Sequence, residues 1–310
     1  MTVSMAVDLA PRRGLRLRNP VMTASGTFGY GVEYARLVDI NRLGAIVCKG
    51  ITLEPRIGNP SPRLAETPAG LLNSIGLENV GLQAVLREKA PIWATWDVPV
   101  VVNIAGETVE EYARMAEALE GVPGVAGLEL NISCPNVDAG GMAFGSSADA
   151  AAEVTAAVRS ACQQPLLVKL SPNVGDITEI ALAVEAAGAD ALTLVNTFLG
   201  MVIDVNKRRP FLPRGVGGLS GPAIRPLAVR MVYEVARVVR IPIVGIGGIT
   251  NAEDALQFLM AGATAVQVGT ASFVNPRASL DVVEGLRAWA EVHGLQDIRE
   301  IIGVAQQPAA

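Results

Sequence analysis

Eight short apolar runs, each closing on small or polar residues, recur along the chain and restrict its fold more than any other feature. They occupy 21–25, 45–50, 98–106, 127–133, 166–171, 191–197, 241–248 and 265–271. Most are separated by a stretch with helical periodicity. Three of those stretches open on a residue pair suited to cap a helix: Thr108 with Glu111, Asp176 with Glu179, and Thr250 with Glu253. Two close on Ala-Gly-Ala, at Gly188 and Gly262, where a left-handed residue returns the chain to a strand. The runs are apolar on both faces, as parallel strands covered by helices must be. Repeated βα units of this number predict an α/β fold, a single (β/α)8 barrel over 1–310, in preference to an open doubly wound sheet. The segment 15–18, following Pro11-Arg12-Arg13-Gly14, predicts an N-terminal hairpin at the barrel's bottom. Two connections, 51–80 after strand 2 and 198–222 after strand 6, are far longer than the rest. Both leave strand C-termini, where long Pro/Gly-rich loops form lids or substrate walls.

Composition removes several function classes. A chain of 310 residues buries a large core without disulfides, and three cysteines (Cys48, Cys134, Cys162) with no C-x-x-C supply neither a zinc ribbon nor an iron–sulfur site. A net charge of −5 gives no footprint for nucleic acid or an anionic membrane. No apolar run reaches the roughly 20 residues of a membrane span, and residues 1–18 show no signal-peptide or transit pattern. A cytoplasmic protein is expected. His293 is the sole histidine, at the end of a helical stretch with no nucleophile beside it, so zincin motifs and histidine-based triads are excluded.

The polar residues gather at the ends of the runs. Ser25 ends the first, Lys49 and Gly50 the second, Asn103 the third, Asn131 and Cys134 the fourth, Lys169 the fifth, and Asn196 with Thr197 the sixth. Together they predict a ring of amides, two lysines and one thiol around one barrel mouth. Runs seven and eight end in Gly247-Gly248 and Gly269-Thr270, where barrels hold phosphate through backbone N–H groups. The ring offers no carboxylate or imidazole cluster, so no metal is expected. Amides and lysines suit a planar heterocycle with alternating donors and acceptors, such as an isoalloxazine or a pyrimidine. One flavin mononucleotide (FMN) per chain fits, with its phosphate at runs seven and eight and a lysine beside the ring edge that becomes negative on reduction.

Six motifs carry a resemblance. Ala24-Ser25-Gly26-Thr27-Phe28-Gly29, Asn73-Ser74-Ile75-Gly76-Leu77, Asn131-Ile132-Ser133-Cys134-Pro135-Asn136, Val168-Lys169-Leu170-Ser171-Pro172-Asn173, Val195-Asn196-Thr197 and Gly217-Gly218-Leu219-Ser220-Gly221-Pro222 resemble dihydroorotate dehydrogenase of pyrimidine biosynthesis, from about Asn19 to Phe273. The resemblance implies FMN contacts at Ser25, Lys49, Gly50, Asn103, Asn131, Lys169, Val195, Gly221, Gly247, Gly248, Gly269 and Thr270. It implies substrate contacts at Lys49, Asn73, Ser74, Ile75, Gly76, Leu77, Asn131, Asn196 and Thr197, with Lys49 and Cys134 as the catalytic pair and Cys134 as general base. A cysteine at this position resembles the soluble class.

The chemistry agrees with that assignment. Oxidising dihydroorotate removes a proton from one ring carbon and a hydride from its neighbour, so the base needs reach and a tunable pKa. A thiol has both, with an ordinary pKa of about 8.5 that a nearby cation lowers. Gly140, Gly141 and Gly145 after Cys134 predict a hinged lid, while Cys48 and Cys162 read as small buried hydrophobes. Ile132 and Leu219-Ser220-Gly221-Pro222 resemble the NAD-linked type more than the fumarate-reducing homodimer. The chain lacks a strict G-x-G-x-x-G fingerprint and the cysteines for a cluster. The resemblance therefore implies a partner subunit carrying FAD and an iron–sulfur cluster, in a two-plus-two heterotetramer around a homodimer core. The alternatives are a fumarate-reducing homodimer, another FMN barrel that reduces a pyrimidine or a tRNA uridine, and a phosphate-binding scaffold.

Overall fold

The computed structural model describes residues 3–133, 135–136 and 142–306. Cys134, Gly140 and Gly141 lie outside the described residues. All eight apolar runs are strands of one closed parallel barrel. In chain order these are β1 (Val21–Thr23), β2 (Ala45–Val47), β3 (Val100–Ile104), β4 (Gly127–Asn131), β5 (Leu166–Lys169), β6 (Ala191–Leu194), β7 (Ile243–Ile246) and β8 (Ala265–Val268). Each pairs with its neighbours in sequence, and β8 closes on β1 through Val266, Gln267 and Val268 opposite Val21, Met22 and Thr23. The fold is a (β/α)8 barrel.

The helices follow from the spacing of their apolar residues. A helix over 82–93, α1, contains a π-helical turn at Val85–Lys89. Helix α2 (Val109–Leu119) buries Tyr112, Met115, Ala116 and Leu119, and α3 (Ala148–Ala161) buries Ala151, Val154, Thr155 and Val158. The same i, i+3, i+4, i+7 stripe recurs in α4 (Ile177–Ala186) and α5 (Arg225–Val235). Helices α6 (Ala252–Ala261) and α7 (Ala278–Val292) complete the outer layer. Between β1 and β2 the crossing has turns and a single 3₁₀ turn, Ile40–Arg42, in place of an α-helix.

Gly188 and Gly262 both take positive φ, at 103° and 118°, as the two Ala-Gly-Ala ends require. The expected cap at Thr250 is displaced by one residue. Asn251 is the N-cap of α6 and accepts from the Asp254 N–H, while Thr250 gives its own N–H and hydroxyl to the Asp254 carboxylate. Asp254, not Glu253, is thus the carboxylate that closes the turn.

The N-terminal hairpin is present, Val7–Ala10 against Leu15–Leu17. Its turn reaches the barrel's bottom through Arg13, which bonds Asp190 and Gln163 just before β6 and β5. The two long connections are not merely loops. They meet over the mouth in one four-stranded antiparallel sheet, ordered Phe198–Gly200, Gly217–Ser220, Gly70–Asn73 and Leu64–Thr67. Among the described residues no helix is long and apolar enough to cross a membrane.

Candidate active site

A cavity of about 740 Å³ opens at the C-terminal ends of the barrel strands, between the mouth and the four-stranded sheet. Parallel strands of equal tilt end at one level, so the last inward-facing residue of each strand points into this space. Ser25, Lys49, Gly50, Asn103, Asn131, Lys169, Val195, Asn196 and Thr197 line it from the strand ends. Gly221, Gly247, Gly248, Gly269 and Thr270 line one side, and Asn73, Ser74, Ile75, Gly76 and Leu77 form the wall contributed by the first long connection. Every described residue singled out from the sequence as a flavin or substrate contact therefore borders one cavity. Cys134 falls outside the described residues, immediately after Ser133, which also lines it.

The polar groups are held by one another. Asn196 donates through Nδ2 to Ser133 Oγ at 2.9 Å and to Asn131 Oδ1 at 3.3 Å, while its own Oδ1 accepts the Thr197 N–H at 2.8 Å. Lys169 is almost fully buried and donates through Nζ to Ser25 Oγ at 3.2 Å. Asn73 Nδ2 donates to the Gly218 carbonyl, tying the wall contributed by the first long connection to the second. Gly218 fits there because a Cβ would lie 2.2 Å from Thr197 Oγ1. Burial holds the Lys49 ammonium below the ordinary lysine range, opposed by Glu78, reinforced by Arg63 and opposed again by Glu33.

The glycine-rich side is shaped by backbone approach. Gly248 has φ of +73°, and a Cβ there would meet the Gly221 carbonyl at 2.6 Å and Pro222 Cα at 3.0 Å. Gly247, with φ of +137°, would press on Ala228 of α5. A Cβ on Gly269 would sit 3.3 Å from Ala24. These glycines let three turns close on each other around the cavity. Thr270 Oγ1 and Ser220 Oγ, 2.8 Å apart, join the end of β8 to the sheet above. Behind the turn at 247–250, Arg225 pairs with the buried Asp254.

Cys48, Cys162 and His293 are not among the residues that line the cavity. Cys48 and Cys162 are buried, and burial pushes the Cys48 thiol up to about 12. His293 caps the end of α7, stacked on Trp289 with Nδ1 2.8 Å from the Trp289 carbonyl.

Sequence reasoning missed Glu129. It is fully buried in β4 beneath the mouth and takes hydrogen bonds from Asn103, Thr193 and Gln267. The signal was a lone carboxylate inside the run Gly127-Leu128-Glu129-Leu130-Asn131. Gln267, inside the apolar run of β8, gives the same signal.

The family model described as dihydroorotate dehydrogenase matches residues 11–289. The chain belongs to the dihydroorotate dehydrogenase family. A relative from Trichlorobacter lovleyi, named dihydroorotate dehydrogenase B (NAD(+)), catalytic subunit, is 54% identical over 306 residues, covering 99% of this chain and 100% of the relative. Relatives of the same name from Geotalea uraniireducens and Desulforamulus reducens are each 56% identical, over 96% and 97% of this chain and 97% and 99% of their own lengths.

Proposed function

We propose that this chain oxidises dihydroorotate to orotate with FMN and is the catalytic subunit of an NAD-linked dihydroorotate dehydrogenase in pyrimidine biosynthesis. The observation that carries the reading is the single cavity lined by every described residue that the motifs assign to flavin or substrate. Its chemistry fits FMN. The turns at Gly221, Gly247–Gly248 and Gly269 expose backbone at a spot where side chains would collide, as a phosphate cradle needs. Lys49, Lys169 and the amides of Asn103 and Asn131 supply cations and hydrogen-bonding groups for a pyrimidine edge. When bound, FMN supplies the acceptor for the two electrons that leave the substrate.

The chain's own residues do the rest. Asn73, Asn131, Asn196 and Thr197 orient the substrate ring through polar groups already fixed by neighbours. Lys49 attracts the substrate's negative charge from a half-buried position, where its field is weakly screened. Cys134, next to the anchored Ser133, removes the ring proton.

The relatives' names favour NAD over fumarate as the final acceptor, and "catalytic subunit" names one part of a larger assembly. The electron-transfer partner then carries FAD and an iron–sulfur cluster, assembled two plus two on a dimer of this chain in the cytoplasm. An acceptor panel tests the reading. FMN-loaded chain alone should oxidise dihydroorotate with an artificial dye and reduce NAD poorly, and adding the partner should confer NAD reduction. Fumarate reduction matching the dye rate would favour the homodimeric type instead.

A further inference from the structure

Glu129 takes no part in the chemistry above, yet it is a heavily coordinated polar group directly beneath the cavity. Its Oε1 accepts from Asn103 Nδ2 at 2.8 Å and lies 4.0 Å from Lys169 Nζ. Its Oε2 accepts from Thr193 Oγ1 at 3.0 Å and from Gln267 Nε2 at 2.7 Å. These neighbours come from β3, β5, β6 and β8, so one carboxylate gathers strands from around the barrel. Buried polar atoms must be satisfied, and both Glu129 oxygens are met by donors. Each neighbour is therefore compelled to turn a donor toward it.

For Asn103 this decides which end of the amide faces upward. With Nδ2 committed to Glu129, Oδ1 is turned toward Gly50 at the cavity wall, where a Cβ would come within 2.6 Å of it. For Lys169 it places the ammonium between the carboxylate and Ser25 Oγ. We infer that Glu129 is a positioning residue that sets the hydrogen-bonding sense of the cavity floor, holding Asn103 as an acceptor beside the Lys169 cation. The inference rests on the flavin reading for its ligand. A floor of one acceptor and one cation complements an imide edge, whose N–H donates and whose carbonyl gains negative charge on reduction.

A mutant cycle on the whole chain tests it, read as the FMN dissociation constant of apoprotein and, separately, as the melting temperature without FMN. Glu129→Gln removes the carboxylate's charge beside Lys169 and exchanges one of its two acceptor oxygens for an NH2, so the donors of Asn103, Thr193 and Gln267 can no longer all be held as they are. FMN should bind at least about tenfold more weakly, the scale of one charge-assisted hydrogen bond. Asn103→Asp sets two carboxylates against each other and should also weaken binding. When the two substitutions are combined, the amide introduced by Glu129→Gln donates to the carboxylate introduced by Asn103→Asp, whose second oxygen faces the cavity. The double variant should therefore bind at least about tenfold more tightly than the single effects predict together. Unchanged binding in Glu129→Gln, or simple additivity in both readouts, would overturn the proposal. If Glu129→Gln does not fold, a folded double variant that takes up FMN supports it, and an unfolded one counts against it. Should the wild-type chain bind no FMN, the flavin reading fails, while non-additive melting temperatures would still establish the coupling.

Discussion

Cysteine chemistry in this chain is divided by surroundings. Cys48 is buried beneath the mouth, and desolvation keeps its proton in place to about pH 12, well above the ordinary thiol range. The unfolded thiol ionises first, so the stability that Cys48 contributes is whole below about pH 9 and is lost as pH rises toward 12. Cys48→Ala should be less stable at neutral pH, from its cavity, with a flatter alkaline decline in urea melts and little change in turnover. Cys134 belongs to the opposite category by our assignment. Cys134→Ala should keep FMN and lose dihydroorotate oxidation by at least about a hundredfold, and Cys134→Ser should retain a trace at neutral pH. Near-normal turnover of the alanine variant would remove Cys134 from the mechanism. The polar rim was legible residue by residue because each member ends an apolar run, and the barrel brings strand ends together. Glu129 was not, because its partners Asn103, Thr193 and Gln267 stand 26, 64 and 138 residues away in sequence and only closure of the barrel unites them.

Among the elements, the eight barrel strands and most helices were readable because their signals are local: apolar runs, a 3.6-residue stripe, a glycine stop. The cap of α6 was misplaced for an equally local reason. Thr250, Asn251, Glu253 and Asp254 offer two overlapping pairs of the same spacing, and the buried Asp254, paired with Arg225, selects the second. Asn251→Ala should therefore cost about 1 kcal/mol in denaturant unfolding, the usual weight of an N-cap. The four-stranded sheet over the mouth was invisible because its strands are short, glycine-rich and paired across 145 residues, as Asn73 with Gly218. The turns below it give a sharper test. Gly248→Val would push against Gly221 and Pro222 in a left-handed conformation, so it should spread the turns and yield folded protein depleted of FMN. A variant with stoichiometric FMN would move the phosphate elsewhere.

At the scale of the molecule, the second long connection borders the cavity on one side and solvent on the other. The cavity lies between barrel and sheet and is bordered by Leu199, while the second long connection turns Met201, Ile203 and Val205 outward, at 51%, 49% and 77% exposure. That alternation makes an apolar stripe of the kind that interfaces cover, consistent with a chain that works within a larger assembly. The overall reading requires the one large cavity to hold a flavin that the substrate can reduce. Anaerobic mixing of the purified chain with dihydroorotate tests this most directly. The purified chain should be yellow, with one FMN per chain whose visible band bleaches on adding dihydroorotate, with orotate formed in equal amount and no partner required. A colourless protein, or a flavin band that dihydroorotate leaves untouched, would contradict it.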